Sequence, residues 1–179
     1  MMELEFEIEW NIDGEYGVSI VRCIENSDGD YLEAATIKES EIDEVIEILE
    51  LWKRGGLGEQ SLREKMISDR LKVVVEEGGI RIVSDENIFI KGEEIDEVLS
   101  HLRGKKCLFE AWRKIDEILH LLYNGERAFA EILEEGDLSE ECAEFIIDYM
   151  EWLGYLTKMV KEGKTYLRIT DKGREYLKL

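Results

Sequence analysis

Trp152-Leu153-Gly154-Tyr155-Leu156 and, one hairpin later, Ile169-Thr170-Asp171-Lys172-Gly173-Arg174-Glu175-Tyr176-Leu177 decide how the C-terminal part of the chain folds. Gly154 stops a helix. Beyond it two alternating segments, Tyr155 to Val160 and Thr165 to Ile169, flank the turn Lys161-Glu162-Gly163, the pattern of an antiparallel hairpin. Before Gly154, the residues Cys142, Phe145, Ile146, Tyr149, Met150 and Leu153 recur at i, i+3, i+4, i+7, i+8 and i+11. That spacing predicts a core-facing stripe on a helix that Ser139 caps. Further upstream, Leu108, Phe109, Trp112, Ile115, Ile118, Leu119 and Leu122 form the apolar face of a long helix ending at Tyr123-Asn124-Gly125. A short helix from Arg127 to Glu134, presenting Phe129, Ile132 and Leu133, lies between the two, before the turn Glu135-Gly136-Asp137.

Three helices, a basic hairpin and the Ile169 to Leu177 ending resemble the winged helix-turn-helix domains of MarR-, ArsR- and PadR-like transcription regulators of archaea and bacteria. The resemblance covers residues 104–179 only. It implies a DNA-binding fold in which the third helix enters the major groove, the wing touches the backbone, and flanking helices pair two copies into a homodimer.

Residues 1–103 form a separate acidic domain by the same reading. Leu4, Phe6, Ile8 and Trp10 alternate with Glu3, Glu5, Glu7 and Glu9, as on a half-buried strand. Turns at Asp13-Gly14 and Ser27-Asp28-Gly29-Asp30 separate further strands at Tyr16 to Cys23 and Tyr31 to Ile37. A helix follows from Ser40 to Lys53, closed by Gly55-Gly56-Leu57-Gly58, with a shorter helix from Glu59 to Ser68 after it. Ile37-Lys38-Glu39-Ser40-Glu41-Ile42-Asp43-Glu44-Val45 returns 53 positions later as Ile90-Lys91-Gly92-Glu93-Glu94-Ile95-Asp96-Glu97-Val98. Two copies of a strand-strand-strand-helix unit are expected, joined in one sheet with helices on one face. The fold class is therefore α+β: a duplicated βββα domain, a break at Gly104-Lys105-Lys106, and a winged helix.

The net charge of −20 is unevenly spread, with −16 on residues 1–103 and −4 on the remainder. Such acidity repels nucleic acid and anionic membranes wherever no face is locally basic. No apolar run is long enough to span a bilayer, and the first residues lack the basic and apolar regions of a signal peptide, so a cytoplasmic protein without membrane contact is expected. Cys23, Cys107 and Cys142 are widely spaced and odd in number, as expected of reduced thiols serving as small core residues. The absence of proline beside 37% charged residues is a composition common in heat-adapted organisms.

Two functional readings stay open. A regulator would contact double-stranded DNA weakly through wing residues Lys158, Lys161, Lys164 and Arg168. Yet no Arg or Lys lies between Ser139 and Leu156, and the third helix exposes carboxylates, so bidentate readers of guanine are missing there. The alternative is an adaptor that binds a basic protein of the transcription or replication machinery with Glu141, Glu144, Ile147, Asp148, Glu151 and Trp152, Ile147 and Trp152 lying off the core stripe. A third reading has the acidic N-terminal sheet mimic DNA.

Catalytic signals are absent from the sequence. Gly163-Lys164-Thr165 lacks the glycine that a phosphate loop needs five places earlier, where Lys158 stands. His101 and His120 have no carboxylate or cysteine at ligand spacing. A non-enzymatic protein with no metal and no cofactor is expected.

Overall fold

The computed structural model describes residues 3–10, 14–55 and 63–178. It is a mixed α+β chain that divides into two compact units, Met1–Lys106 and Cys107–Leu179. In the first, β1 (Glu5–Trp10), β2 (Tyr16–Ile24) and β3 (Tyr31–Lys38) form an antiparallel sheet in that order, followed by helix α1 (Ile42–Lys53). Strands β4 (Glu64–Met66), β5 (Lys72–Glu76), β6 (Gly79–Val83) and β7 (Asn87–Lys91) form a second antiparallel sheet, followed by α2 (Ile95–Leu121).

The chain turns into the two helices in the same way. Lys38 and Lys91 share an extended backbone (φ −70°, ψ 155° and φ −69°, ψ 152°), and each amide donates at 2.8 Å to the carboxylate three residues on, Glu41 or Glu94. Ile37, Ile42, Val45 and Leu49 are buried, and so are Ile90, Ile95, Val98 and Leu102, each 53 positions later.

The single sheet expected from sequence is instead two. Thr36 of β3 gives its amide to the Ser84 hydroxyl (3.2 Å) and its carbonyl to Arg70 Nη2 (2.6 Å), while the Phe89 carbonyl of β7 accepts from Arg22 Nη1 (2.8 Å). Side chains thus occupy backbone groups that a ladder between β3 and β7 would use. The same arginines bind the two capping carboxylates, Arg22 to Glu94 at 2.5 Å and Arg70 to Glu41 at 3.1 Å, so each half supplies a cation to the other.

Other expectations of this unit change as well. Of the alternating apolar residues only Leu4, just before β1, is buried; on β1 itself Phe6 is half-buried and stacks on His101 (3.9 Å), while Ile8 and Trp10 of this edge strand are exposed. Cys23 is exposed rather than in the core, at the end of β2 where its cross-strand partner Leu32 is exposed too. Glu64–Met66 is a strand, not part of a helix; the residues assigned to that helix's start, like Asp13 and Gly56-Leu57-Gly58, lie outside those described. The break expected at Gly104-Lys105-Lys106 is continuous helix within α2.

In the second unit α2 leads to β8 (Arg127–Ala128), α3 (Phe129–Glu135), α4 (Glu140–Trp152), β9 (Leu156–Lys161), β10 (Lys164–Ile169) and α5 (Asp171–Tyr176), with strand order β8-β10-β9. Glu162 and Gly163 both have positive φ (52° and 75°), as a tight two-residue hairpin turn requires. Thr170 explains the chain's closing motif: its hydroxyl accepts from the Gly173 amide (3.0 Å) and donates to the Gly154 carbonyl (2.5 Å). A Cβ on Gly173 would stand 2.2 Å from the Tyr155 carbonyl oxygen, so only glycine fits.

Ser139 does not cap α4 with its side chain. Its amide and hydroxyl both donate to Glu110 of α2 (2.8 Å each), which places a carboxylate at the positive end of α4. Cys107 and Cys142, expected as free thiols, form a disulfide, because packing of α2 on α4 brings their Cα atoms to 5.0 Å. Bridging positions 35 apart should contribute about 3–4 kcal/mol through the unfolded state. Urea unfolding followed at the Ile118 and Ile146 methyl signals should show that loss on reduction. For the first unit, Arg22→Met should cost about 3 kcal/mol, since Glu94 would keep a charge at a largely buried position.

Candidate functional site

The orientation of α4 determines what the second unit shows to solvent. Ala143, Ile146, Ile147 and Met150 are buried, at i, i+3, i+4 and i+7, together with Cys142. The stripe is therefore turned from the expected one. Ile147 is only 2% exposed and is not a surface residue, whereas Phe145, expected inside, is 39% exposed. With apolar residues at nearly every turn on three sides of the helix, spacing alone allowed either rotation; the small Ala143 permits the close approach.

Two bands run along the outer surface of α4. One is aromatic: Phe145 and Tyr149 lie nearly parallel at 6.2 Å, Tyr149 and Trp152 at 6.0 Å, and Trp152 is 79% exposed. Trp112 of α2 steadies the middle ring by donating its indole N–H to the Tyr149 hydroxyl at 3.0 Å. The other band is acidic, made of Glu140, Glu141, Glu144, Asp148 and Glu151, with all but Glu151 exposed. The structure thus brings together five of the six residues expected to bind a partner, with Ile147 beneath them.

The four wing cations fare differently. Lys158 binds Asp148 and, at 3.3 Å, Glu151. Its ammonium is held above its ordinary pKa, first by the hydrogen bond to Asp148 and, against some desolvation, by that to Glu151. Lys161 and Arg168 (3.2 Å) both bind Glu126, the residue before β8. Lys164 is exposed and has no ion pair among the described residues. Three of the four are thus ion-paired from within, Lys161 and Arg168 sharing one carboxylate, which the sequence did not show, since Glu126 lies 35 and 42 positions from its partners.

The chain matches no family model, no curated protein and no solved structure. Among the described residues, no group of three His, Cys, Asp or Glu could hold a metal ion, and no helix is long and apolar enough to cross a membrane. His120 Nδ1 lies 2.7 Å from the Asp116 carbonyl in its own helix, and His101 stacks on Phe6.

Hydrogen bonds from Lys161 and then Arg168 hold the Glu126 carboxyl below its ordinary pKa. A folded value below the unfolded one contributes stability above the unfolded pKa, and that contribution is lost as pH falls through the depressed folded value. An NMR titration of the Glu126 carboxyl carbon should show a midpoint below the ordinary glutamate value. Lys161→Met combined with Arg168→Met should return it toward that value.

Proposed function

We propose that residues 107–179 form a winged helix used as a protein-interaction module, in which α4 binds a basic segment of a partner protein. The order α2, β8, α3, α4, hairpin, α5 supports the winged-helix reading. The recurrence of buried positions and capping carboxylates at a 53-residue offset supports reading residues 1–103 as two copies of one unit.

One observation carries the functional reading: the helix that would enter a DNA groove exposes an aromatic band beside four carboxylates, and the nearest wing cation is already bound to two of its acidic groups. Carboxylates set against phosphates oppose binding, whereas a lysine- or arginine-rich segment gains both ion pairs and cation–π contact with Trp152. The same charges disfavour pairing of α4 with α4 of a second copy. The reading places the protein in transcription or replication machinery as a non-enzymatic adaptor, and the first unit would serve as a second docking or sensing part.

Anisotropy titrations of the full chain with a labelled lysine- and arginine-rich peptide, and with random duplex DNA, separate the readings. The peptide should bind and weaken with salt, and Glu144→Lys with Asp148→Lys should lower its affinity about tenfold or more. Salt-sensitive duplex binding that Lys161→Glu with Lys164→Glu abolishes would instead establish the wing as a DNA contact and overturn the proposal.

A further inference from the structure

Between α4 and the hairpin lies a cleft of about 240 Å³, lined by Phe129, Glu144, Ile147, Asp148, Lys158 and Thr165. It is smaller than the roughly 300–1,000 Å³ typical of small-molecule sites, which suits a single side chain better than a metabolite. Phe129 and Ile147 give it an apolar floor, and Glu144 and Asp148 an acidic wall. Glu144 has no ion pair among the described residues, whereas Asp148 is bound by Lys158. A cation supplied by the chain itself therefore already lies against this wall.

Resting on the interaction reading above, we propose that this cleft takes one arginine side chain of the basic partner, and that Lys158 is its internal competitor. The guanidinium spans Glu144 and Asp148 while its planar face and methylene stem cover Phe129 and Ile147. Arginine fits better than lysine because it combines a two-pronged donor set with a flat, weakly hydrated surface able to stack on a ring. On binding, the incoming guanidinium displaces the Lys158 ammonium from Asp148. The lysine keeps Glu151 as its counter-ion, 3.3 Å away. An anion such as a phosphate is excluded by the two carboxylates.

The proposal has a consequence of unusual sign, since removing a positive charge from the wing should strengthen binding. N-acetylarginine amide is titrated into the full chain and into Lys158→Met, with the Ile147 methyl and Thr165 amide signals followed by NMR. The expected result is saturable shifts at both residues, about fivefold tighter in Lys158→Met, the factor expected when one exposed ion pair no longer competes. Glu144→Gln should weaken them, N-acetyllysine amide should shift them less, and the citrulline analogue should leave them still. Absence of saturable shifts, or affinity unchanged or reduced in Lys158→Met, overturns the cleft assignment. In that case a basic peptide that still binds α4 leaves the interaction reading standing; failure of peptide and amide alike removes both.

Discussion

Burial of Ala143, Ile146, Ile147 and Met150 against the rest of the second unit is the constraint from which its surface follows. Once those four are inside, helical geometry leaves Phe145 and Trp152 on one flank and Glu140, Glu141, Glu144 and Asp148 on the other. The Cys107–Cys142 bridge and the Glu110 carboxylate at the start of α4 hold the same rotation from two further points. Covalent, electrostatic and packing terms agree, so the bands of α4 are a fixed feature of the fold and not one rotamer choice among several.

Charge compensation then sets what the hairpin can do. Lys158, Lys161 and Arg168 would be a basic edge if read one by one, but Asp148, Glu151 and Glu126 reach them from α4 and from the residue before β8. Exposed pairs of this kind add little to stability, about 0–1 kcal/mol each. Their larger effect is on the field, because a cation already beside a carboxylate offers a phosphate little net attraction. The positive charge of the hairpin is in this way reduced, leaving the exposed carboxylates of α4 as the stronger feature of this face.

Much of the element order was legible because each segment carries its own period: alternation for the strands around Lys161-Glu162-Gly163-Lys164, and helical spacing from Leu108 onward. Local glycines marked ends correctly at Gly154 and Gly163. Most of the failures involve long-range pairing. Which flank of α4 faces inward depends on what α2 offers it; the disulfide depends on the same packing; and the split into two sheets depends on Arg22 and Arg70 reaching distant carbonyls. Gly104 misled for a different reason, since glycine is tolerated within a long helix when neighbouring turns are well packed and exerts only a modest cost of about 1 kcal/mol. Of the candidate site, the acidic band and the outward Trp152 were plain in the sequence, Phe145 was visible but assigned to the wrong side, and Phe129 and Glu126 carried no local signal.

The crossed arginines of the first unit bear on how the chain acquires its structure during synthesis. Glu41 is buried early in the sequence but its counter-ion, Arg70, emerges later, and Arg22 must wait for Glu94 and the Phe89 carbonyl. A nascent chain holding only the first sheet and α1 would carry the Glu41 carboxylate without Arg70, and the Arg22 guanidinium with Glu33 alone, 3.4 Å away. The crossed pairs therefore close only after the start of α2 has left the ribosome, and a fragment ending between the two halves would lack both.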